Sequence, residues 1–420
     1  MSVRRRGRGA DPRNRAPSGQ TVPSSGRFTL LERIWRREWR EWKLTDWAAV
    51  ASGIASLIGG IVGGVAFVWE NLPDGGPACG MSVGAAQPGL LVSGYVLVDA
   101  DEAGGRRPDL AGTCNSREAA NSVRRTEAGR YDVRLEKLGV DGGTVEITAV
   151  GATPRVCGTA GWGMAEKSTD LTVRVVCSDA SGTMRDSGFA LRFLQAAAGT
   201  GALAYVRYEA GKTERNYAFN SFSTPVTVER PATGNYEVFV QDIQRSAELD
   251  APGIVKVTSL GPVPRICNPM AWEPWQNPTT KKRFLLTEVR CHDTEGRPVD
   301  SGFVLTYAVK LASRPDLMVS GAQLWAEKAV AARYTPRLDY QYNSTGGNSM
   351  IQRRGPGDYA VELSGFTGDD GQIQVSAYAT ATYCTTAPAA AGRDDTTTVR
   401  VRCWYRGRPA DARFSLLYQA

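Results

Sequence analysis

Between Cys267 and Cys291 the chain reads Asn268-Pro269-Met270-Ala271-Trp272-Glu273-Pro274-Trp275-Gln276-Asn277-Pro278, followed shortly by Lys281-Lys282-Arg283. Two indoles beside a basic cluster have the chemistry of a binding site. The rings can stack on a sugar or anchor a protein partner, and the ammonium groups add a salt-sensitive attraction. Trp272 has an internal counterpart, since Trp162 stands five residues after Cys157 as Trp272 stands five after Cys267. A packing role against its own disulfide is therefore open to Trp272. Trp275 has no such counterpart and is the stronger candidate, with Trp272, Lys281 and Lys282 beside it.

Catalysis finds little material. His292 is the sole histidine, so Ser-His-Asp triads and multi-His zinc centres are unsupported. The paired acids Asp369-Asp370 and Asp394-Asp395 invite comparison with glycosidases, which flank the scissile bond with two carboxylates. Adjacent acids in a strand point to opposite faces, however, and both pairs sit in segments that read as solvated turns. The residues predict no enzyme, no cofactor and no metal site.

Eight cysteines are present, and six fall into pairs of closely similar spacing: Cys157 with Cys177, Cys267 with Cys291, and Cys384 with Cys403. There is no CxxC spacing to suggest a metal, so the pairs read as disulfides within domains, which require an oxidising compartment. Closing a loop of ~20 residues adds about 3 kcal/mol in the chain-entropy account. Cys79 and Cys114 are left to pair with each other, tying a stalk to the first domain. Cys114 holds the place that Phe219 and Tyr342 hold elsewhere.

The cysteine pairs belong to a longer internal repeat. Asn115-Ser116, Asn220-Ser221 and Asn343-Ser344 each stand at one fixed interval before a tyrosine, in Gly129-Arg130-Tyr131, Gly234-Asn235-Tyr236 and Gly357-Asp358-Tyr359. An alternating strand follows each tyrosine, and a second comes at Val145/Ile147/Ala149, Val255/Val257/Ser259 and Ile373/Val375/Ala377. Every copy closes on Asp-x-x-Phe-x-x-x-aromatic: Asp186/Phe189/Phe193, Asp300/Phe303/Tyr307 and Asp411/Phe414/Tyr418. Period-2 apolarity with frequent turn residues predicts an all-β ectodomain of three tandem immunoglobulin-like β-sandwich domains, at 88–196, 200–311 and 319–420. The short connections favour a rod or a bent row.

This motif set resembles a β-domain that occurs in tandem in uncharacterised secreted or membrane-anchored proteins of actinobacteria and myxobacteria. The likeness is strongest in the third copy, through Tyr334-Thr335-Pro336, Tyr342-Asn343-Ser344, Gly357-Asp358-Tyr359-Ala360-Val361 and Val375-Ser376-Ala377-Tyr378. It spans most of residues 90–420 and implies no particular activity. A composition in which Arg outnumbers Lys more than four to one suits a GC-rich bacterial genome.

Upstream of the repeats, Trp47 to Trp69 is a run of 23 residues without a charge. As a helix it would extend about 34 Å, enough for a hydrocarbon core of about 30 Å. A single N-terminal transmembrane helix over 47–69 is expected, with a Gly-rich buried hairpin or a cleaved signal peptide as its competitors. Arg33, Arg36, Arg37, Arg40 and Lys43 precede the run, whereas Glu70 and Asp74 follow it. This asymmetry places the N-terminus in the cytoplasm and the C-terminal domains outside the cell membrane. Ser52, Ser56, Gly60 and Gly64 recur every four residues, a small-xxx-small pattern that suits homo-oligomerisation of the helix. Residues 29–46 carry Leu31, Trp35, Trp39 and Trp42 at helical spacing and read as an amphipathic juxtamembrane helix. Residues 1–28 read as a disordered basic tail and 70–87 as a stalk.

Charge narrows the partners. Residues 1–46 hold twelve Arg/Lys and five Asp/Glu, which leaves 38 of each sign in the rest of the chain. An evenly balanced body is not the electrostatic footprint of a nucleic-acid binder. Two function classes remain. One is a membrane-anchored extracytoplasmic binding or structural protein that meets a cell-wall glycan or a protein partner. The other is a single-pass sensor or assembly subunit whose cytoplasmic tail recruits a partner.

Overall fold

The computed structural model describes residues 92–99, 112–165, 167–198, 201–211, 217–243, 253–309, 320–368, 371–392 and 394–419. The expected tail, juxtamembrane helix, stalk and anchor, with Ser52, Ser56, Gly60, Gly64 and Cys79, lie outside these residues, as do Asp369 and Asp370. No helix of the described residues is long and apolar enough to cross a membrane. Nearly all of the ordered elements are strands.

The first copy supplies β1 (Val92–Val98), β2 (Thr113–Asn115), β3 (Asn121–Glu127), β4 (Arg130–Leu135), β5 (Thr144–Val150), β6 (Arg155–Met164), β7 (Leu171–Asp179) and β8 (Gly188–Gln195). They form two four-stranded arrays in the orders β2-β1-β8-β5 and β3-β4-β7-β6. The second copy repeats this with β9 (Leu203–Tyr208), β10 (Tyr217–Asn220), β11 (Val226–Ala232), β12 (Asn235–Gln241), β13 (Ile254–Leu260), β14 (Ile266–Gln276), β15 (Arg283–His292) and β16 (Gly302–Ala308). Their orders are β10-β9-β16-β13 and β11-β12-β15-β14. The third copy has β17 (Gly321–Ala326), β18 (Arg333–Tyr334), β19 (Gln341–Asn343), β20 (Ser349–Gly355), β21 (Asp358–Ser364), β22 (Gln372–Tyr378), β23 (Tyr383–Thr386), β24 (Ala390–Ala391), β25 (Thr396–Tyr405), β26 (Arg408–Pro409) and β27 (Arg413–Gln419). Its arrays run β19-β17-β27-β22 and β20-β21-β25-β23, with the short β18, β24 and β26 appended.

Apolar positions of period two face inward from both arrays of each copy, and the recurrent aromatics meet there. Tyr131 packs on Phe189, Tyr236 on Phe303 and Tyr359 on Phe414, with ring centroids 5.1 to 5.3 Å apart and all six rings buried. Each tyrosine hydroxyl donates to the recurrent aspartate, at 3.0 Å for Asp186, 3.4 Å for Asp300 and 3.2 Å for Asp411. The same carboxylate oxygen accepts the N–H of the preceding glycine, Gly129, Gly234 or Gly357, at 2.9 Å. These glycines have φ of +65° to +69°, and a β-carbon there would lie within 2.7 Å of a cysteine carbonyl, so glycine is required twice over. An arginine six residues before the tyrosine completes the corner: Arg125, Arg230 or Arg353. That hydrogen bond is the leading reason each carboxyl is held below its ordinary range.

The disulfides Cys157–Cys177, Cys267–Cys291 and Cys384–Cys403 form between directly opposed residues on neighbouring strands of one array. Cys114 is also disulfide-bonded, and its expected partner Cys79 lies outside the described residues.

A rod or a bent row is not what forms. Residues Asp74–Ala420 make one compact unit, in which the three copies close on one another around a pseudo-threefold axis. At each junction the fifth strand of one copy meets the sixth strand of another. The Gly151 N–H donates to Thr386 O at 2.8 Å, Gly261 to Thr159 O at 2.8 Å, and Ala379 to Pro269 O at 2.9 Å. The first two contacts are parallel strand pairings, β5 with β23 and β13 with β6, and they fuse arrays from different copies into 11- and 8-stranded sheets. Each junction thus brings the edges of two strands from different copies together at one point.

The axis explains why the fifth strands are buried on both faces, with almost every residue of β5, β13 and β22 inaccessible. Val145/Ile147, Val255/Val257 and Ile373/Val375 serve their own cores. The alternate residues face the axis and are polar. Three hydroxyls form a cycle there: Thr258 Oγ1 accepts from Ile147 N–H at 3.1 Å, Ser376 Oγ from Val257 N–H at 3.0 Å, and Thr148 Oγ1 from Val375 N–H at 2.9 Å. One residue-pair earlier stand Glu146, Lys256 and Gln374. Lys256 Nζ donates to the carbonyls of Gln374 and Ser415 at 2.6 and 2.7 Å, while Glu146 Oε2 lies 3.4 Å from Arg192 Nη1. Burial pushes the Lys256 ammonium well below its ordinary pKa, Glu146 opposes that shift, and Arg192 adds to it.

Candidate functional site

The segment read as a loop around Trp275 is a long hairpin. β14 and β15 pair from Ile266↔His292 to Gln276↔Arg283, with a bulge between Pro269 and Ala271, and only residues 277–282 turn. Alternation along β14 then sends the two tryptophans to opposite faces, so they do not form one site. Trp275 lies on the outer face, half-buried against Phe239 and Phe284 at centroid distances of 5.3 and 5.6 Å. Leu286, directly opposite Phe239, extends this apolar face. Glu237 and Glu288 are paired across the same strands one step away. Lys281 and Lys282 are exposed in the turn at the end of the hairpin, near the Trp275 end.

Trp272 instead turns toward the third copy. Its ring meets Trp325 and Tyr378, each at 5.2 Å, and Trp325 in turn meets Tyr340 at 4.6 Å. It also packs against the core of its own copy, which includes Cys267 and Cys291, so it joins that core to the junction. The counterpart, Trp162, also sits at a junction, with the guanidinium of Arg207 4.4 Å above its ring and its own Nε1–H donating to Gly142 O at 2.8 Å. Arg207 and Trp325 occupy the same register position, opposite Val304 and Ser415 in their respective copies, and Leu97 holds that position opposite Ala190 in the first. At the third junction, five residues after Cys384, stands Ala389 in place of tryptophan. Equivalent positions thus give a Trp/Arg stack at one junction and an aromatic cluster at another, and carry Leu97 and Ala389 at the third.

The Trp/Arg junction borders a cleft of about 530 Å³ between the first and second copies. Arg174, Arg207 and Arg265 line it together with Glu209 and Asp300. No local motif marks these arginines, because they are far apart in sequence, belong to different copies and meet only when the ring closes. A far smaller cavity, about 50 Å³, lies on the axis against Thr148, Thr258 and Ser376.

The remaining chemical candidates stay apart. Asp394 and Asp395 are exposed in a turn with φ of +55° and +50°. His292 pairs with Ile266 at the end of the hairpin, and burial depresses its pKa. Among the described residues, no group of three His, Cys, Asp or Glu side chains is placed to hold a metal ion. No family model, curated protein or solved structure matches the chain.

Proposed function

We propose that the protein is a membrane-anchored, extracytoplasmic binding or structural protein that presents a disulfide-stapled β head to the cell envelope or to a protein partner. One observation carries the reading: three disulfides recur at one position of three copies, downstream of a 23-residue run without charge. Disulfides used so regularly belong to an oxidising compartment, and the uncharged run has the length of a membrane span. On this reading each copy is an immunoglobulin-like β-sandwich, with 88–196, 200–311 and 319–420 as the three domains. Residues 1–28 are the cytoplasmic tail, 29–46 the juxtamembrane helix, 47–69 the anchor and 70–87 the stalk. Ser52, Ser56, Gly60 and Gly64 are the surface for helix self-association. The outer face around Trp275, with Lys281 and Lys282 at its end, is the surface offered to a glycan or protein.

Protease added to intact cells or protoplasts tests this topology. Digestion of residues 80–420 with an intact N-terminal tail is expected. Protection of the repeats while a cytoplasmic control also survives would overturn the localisation.

A further inference from the structure

We propose that the cleft between the first and second copies binds an oxyanion, a phosphoryl or carboxylate group carried on a sugar-sized molecule. The site is separate from the Trp275 face, and the inference stands whether or not the anchor spans a membrane.

Charge balance is the first observation. Three guanidinium groups line the cleft, and its two carboxylates are already committed. Asp300 accepts from Arg230 Nε at 2.8 Å and from Gly234 N–H at 2.9 Å, outside the cationic cluster. Glu209 Oε1 lies 2.7 Å from Arg207 Nη2. Arg174 and Arg265 are in no ion pair among the described residues.

Geometry is the second. A β-carbon placed on Gly161 would lie 3.1 Å from Arg174 Nη2 and 3.6 Å from Arg207 Nη2, so guanidiniums from two copies converge above one glycine. Stacking on Trp162 holds the Arg207 head in place, and its Nε is buried without a hydrogen-bond partner. Glu209 meets the Arg207 charge, which leaves the Arg174 and Arg265 guanidiniums for an oxyanion to engage with charge-assisted, forked hydrogen bonds.

Comparison of the junctions is the third. Where the second and third copies meet, Trp272, Trp325 and Tyr378 fill the corresponding place with rings that need no ligand. A junction that only had to hold two copies together would be served by that aromatic solution. About 530 Å³ suits a monosaccharide-sized ligand better than a lone ion.

Titration calorimetry of the full-length protein in mild detergent, with glucose 6-phosphate, glucuronate and glucose as probes, tests the assignment. At least one anionic sugar is expected to bind, more weakly as salt rises, with no heat from glucose. Binding of glucose 6-phosphate alone identifies a phosphoryl site, and binding of glucuronate alone a carboxylate site. Arg174→Ala, an exposed position, should weaken binding at least tenfold with an unchanged melting temperature, and Arg265→Ala gives an independent variant. Arg337→Ala, in the third copy and outside the cleft lining, should bind as the parent does. No binding of either anionic sugar at millimolar concentration, equal binding of glucose, or parental affinity in both cleft variants would overturn the proposal.

Discussion

The Val375 N–H of the third copy donates to the Thr148 hydroxyl of the first at 2.9 Å, and this bond closes a cycle of three that runs around the axis. Each donor is a backbone group on a strand buried on both faces. Thr148→Val keeps the shape and removes the acceptor. Leaving a buried N–H unpaired costs about 1–3 kcal/mol. Chemical denaturation should show that loss, and Thr258→Val should show a similar one through the Ile147 N–H. Parental stability in both variants would mean that the cycle contributes nothing.

Gly158 tests the first junction from its backbone. A β-carbon there would lie 2.2 Å from Ser259 Oγ and 2.8 Å from Ser259 O. The carbonyl belongs to β13 and cannot swing aside. Gly158→Val should therefore part β6 from β13 and destabilise the head by about 1–3 kcal/mol, the range for overpacking. Gly163 has open space around its α-carbon, and Gly163→Ala should leave the melting temperature near that of the parent. Equal melting temperatures for the two variants would contradict the junction.

Lys256 gives the head a particular pH dependence. In the unfolded chain the ammonium titrates near 10.4, whereas in the folded state burial lowers its pKa, with Glu146 opposing and Arg192 reinforcing the shift. The unfolded state then binds more protons between those two values, so stability attributable to this group rises with pH across that window. Lys256→Met removes the titration but also leaves the Gln374 and Ser415 carbonyls without their donor. The slope of stability against pH, and not its absolute value, is the diagnostic. Denaturation midpoints at several pH values from 7 to 10 should rise more steeply for the parent than for the variant, and parallel profiles would refute the assignment.

Trp275 separates a binding face from a plain spacer. Its ring caps Phe239 and Phe284 on the outside of the array and is not part of the inner core. Trp275→Ala should leave folding intact and weaken retention on isolated cell envelopes by about thirtyfold, the ~2 kcal/mol typical of an aromatic anchor. Lys281→Ala with Lys282→Ala should remove a salt-sensitive part of that retention. Parental retention in the Trp275 variant would leave the face without a binding role.

The repeat was legible because its marks are local. The cysteine pairs, the Gly-x-Tyr turn and the closing Asp-x-x-Phe each recur at fixed spacing, and each has a role inside one copy. The arginine of the corner was available by the same logic, six residues before every tyrosine, yet it does not stand out in a chain rich in arginine. The ring was not legible, and the fifth strands show why. Glu146, Thr148, Lys256, Thr258, Gln374 and Ser376 alternate with apolar residues as solvent-facing positions do. They are buried because another copy covers them, and period-2 patterning does not distinguish covered polar groups from wet ones. The hairpin of the second copy was hidden by Pro269, Pro274 and Pro278, which read as loop residues, although Pro269 sits at a bulge and Pro278 in the turn.

Closure of the three copies is the claim on which the axis, the junctions and the cleft all depend. Small-angle X-ray scattering from residues 74–420 measures it directly. A compact unit of this length has a radius of gyration of about 20 Å, whereas three separate units in a row would give about 30 Å or more. The smaller, compact value is predicted, and the larger value of an extended row would contradict the ring.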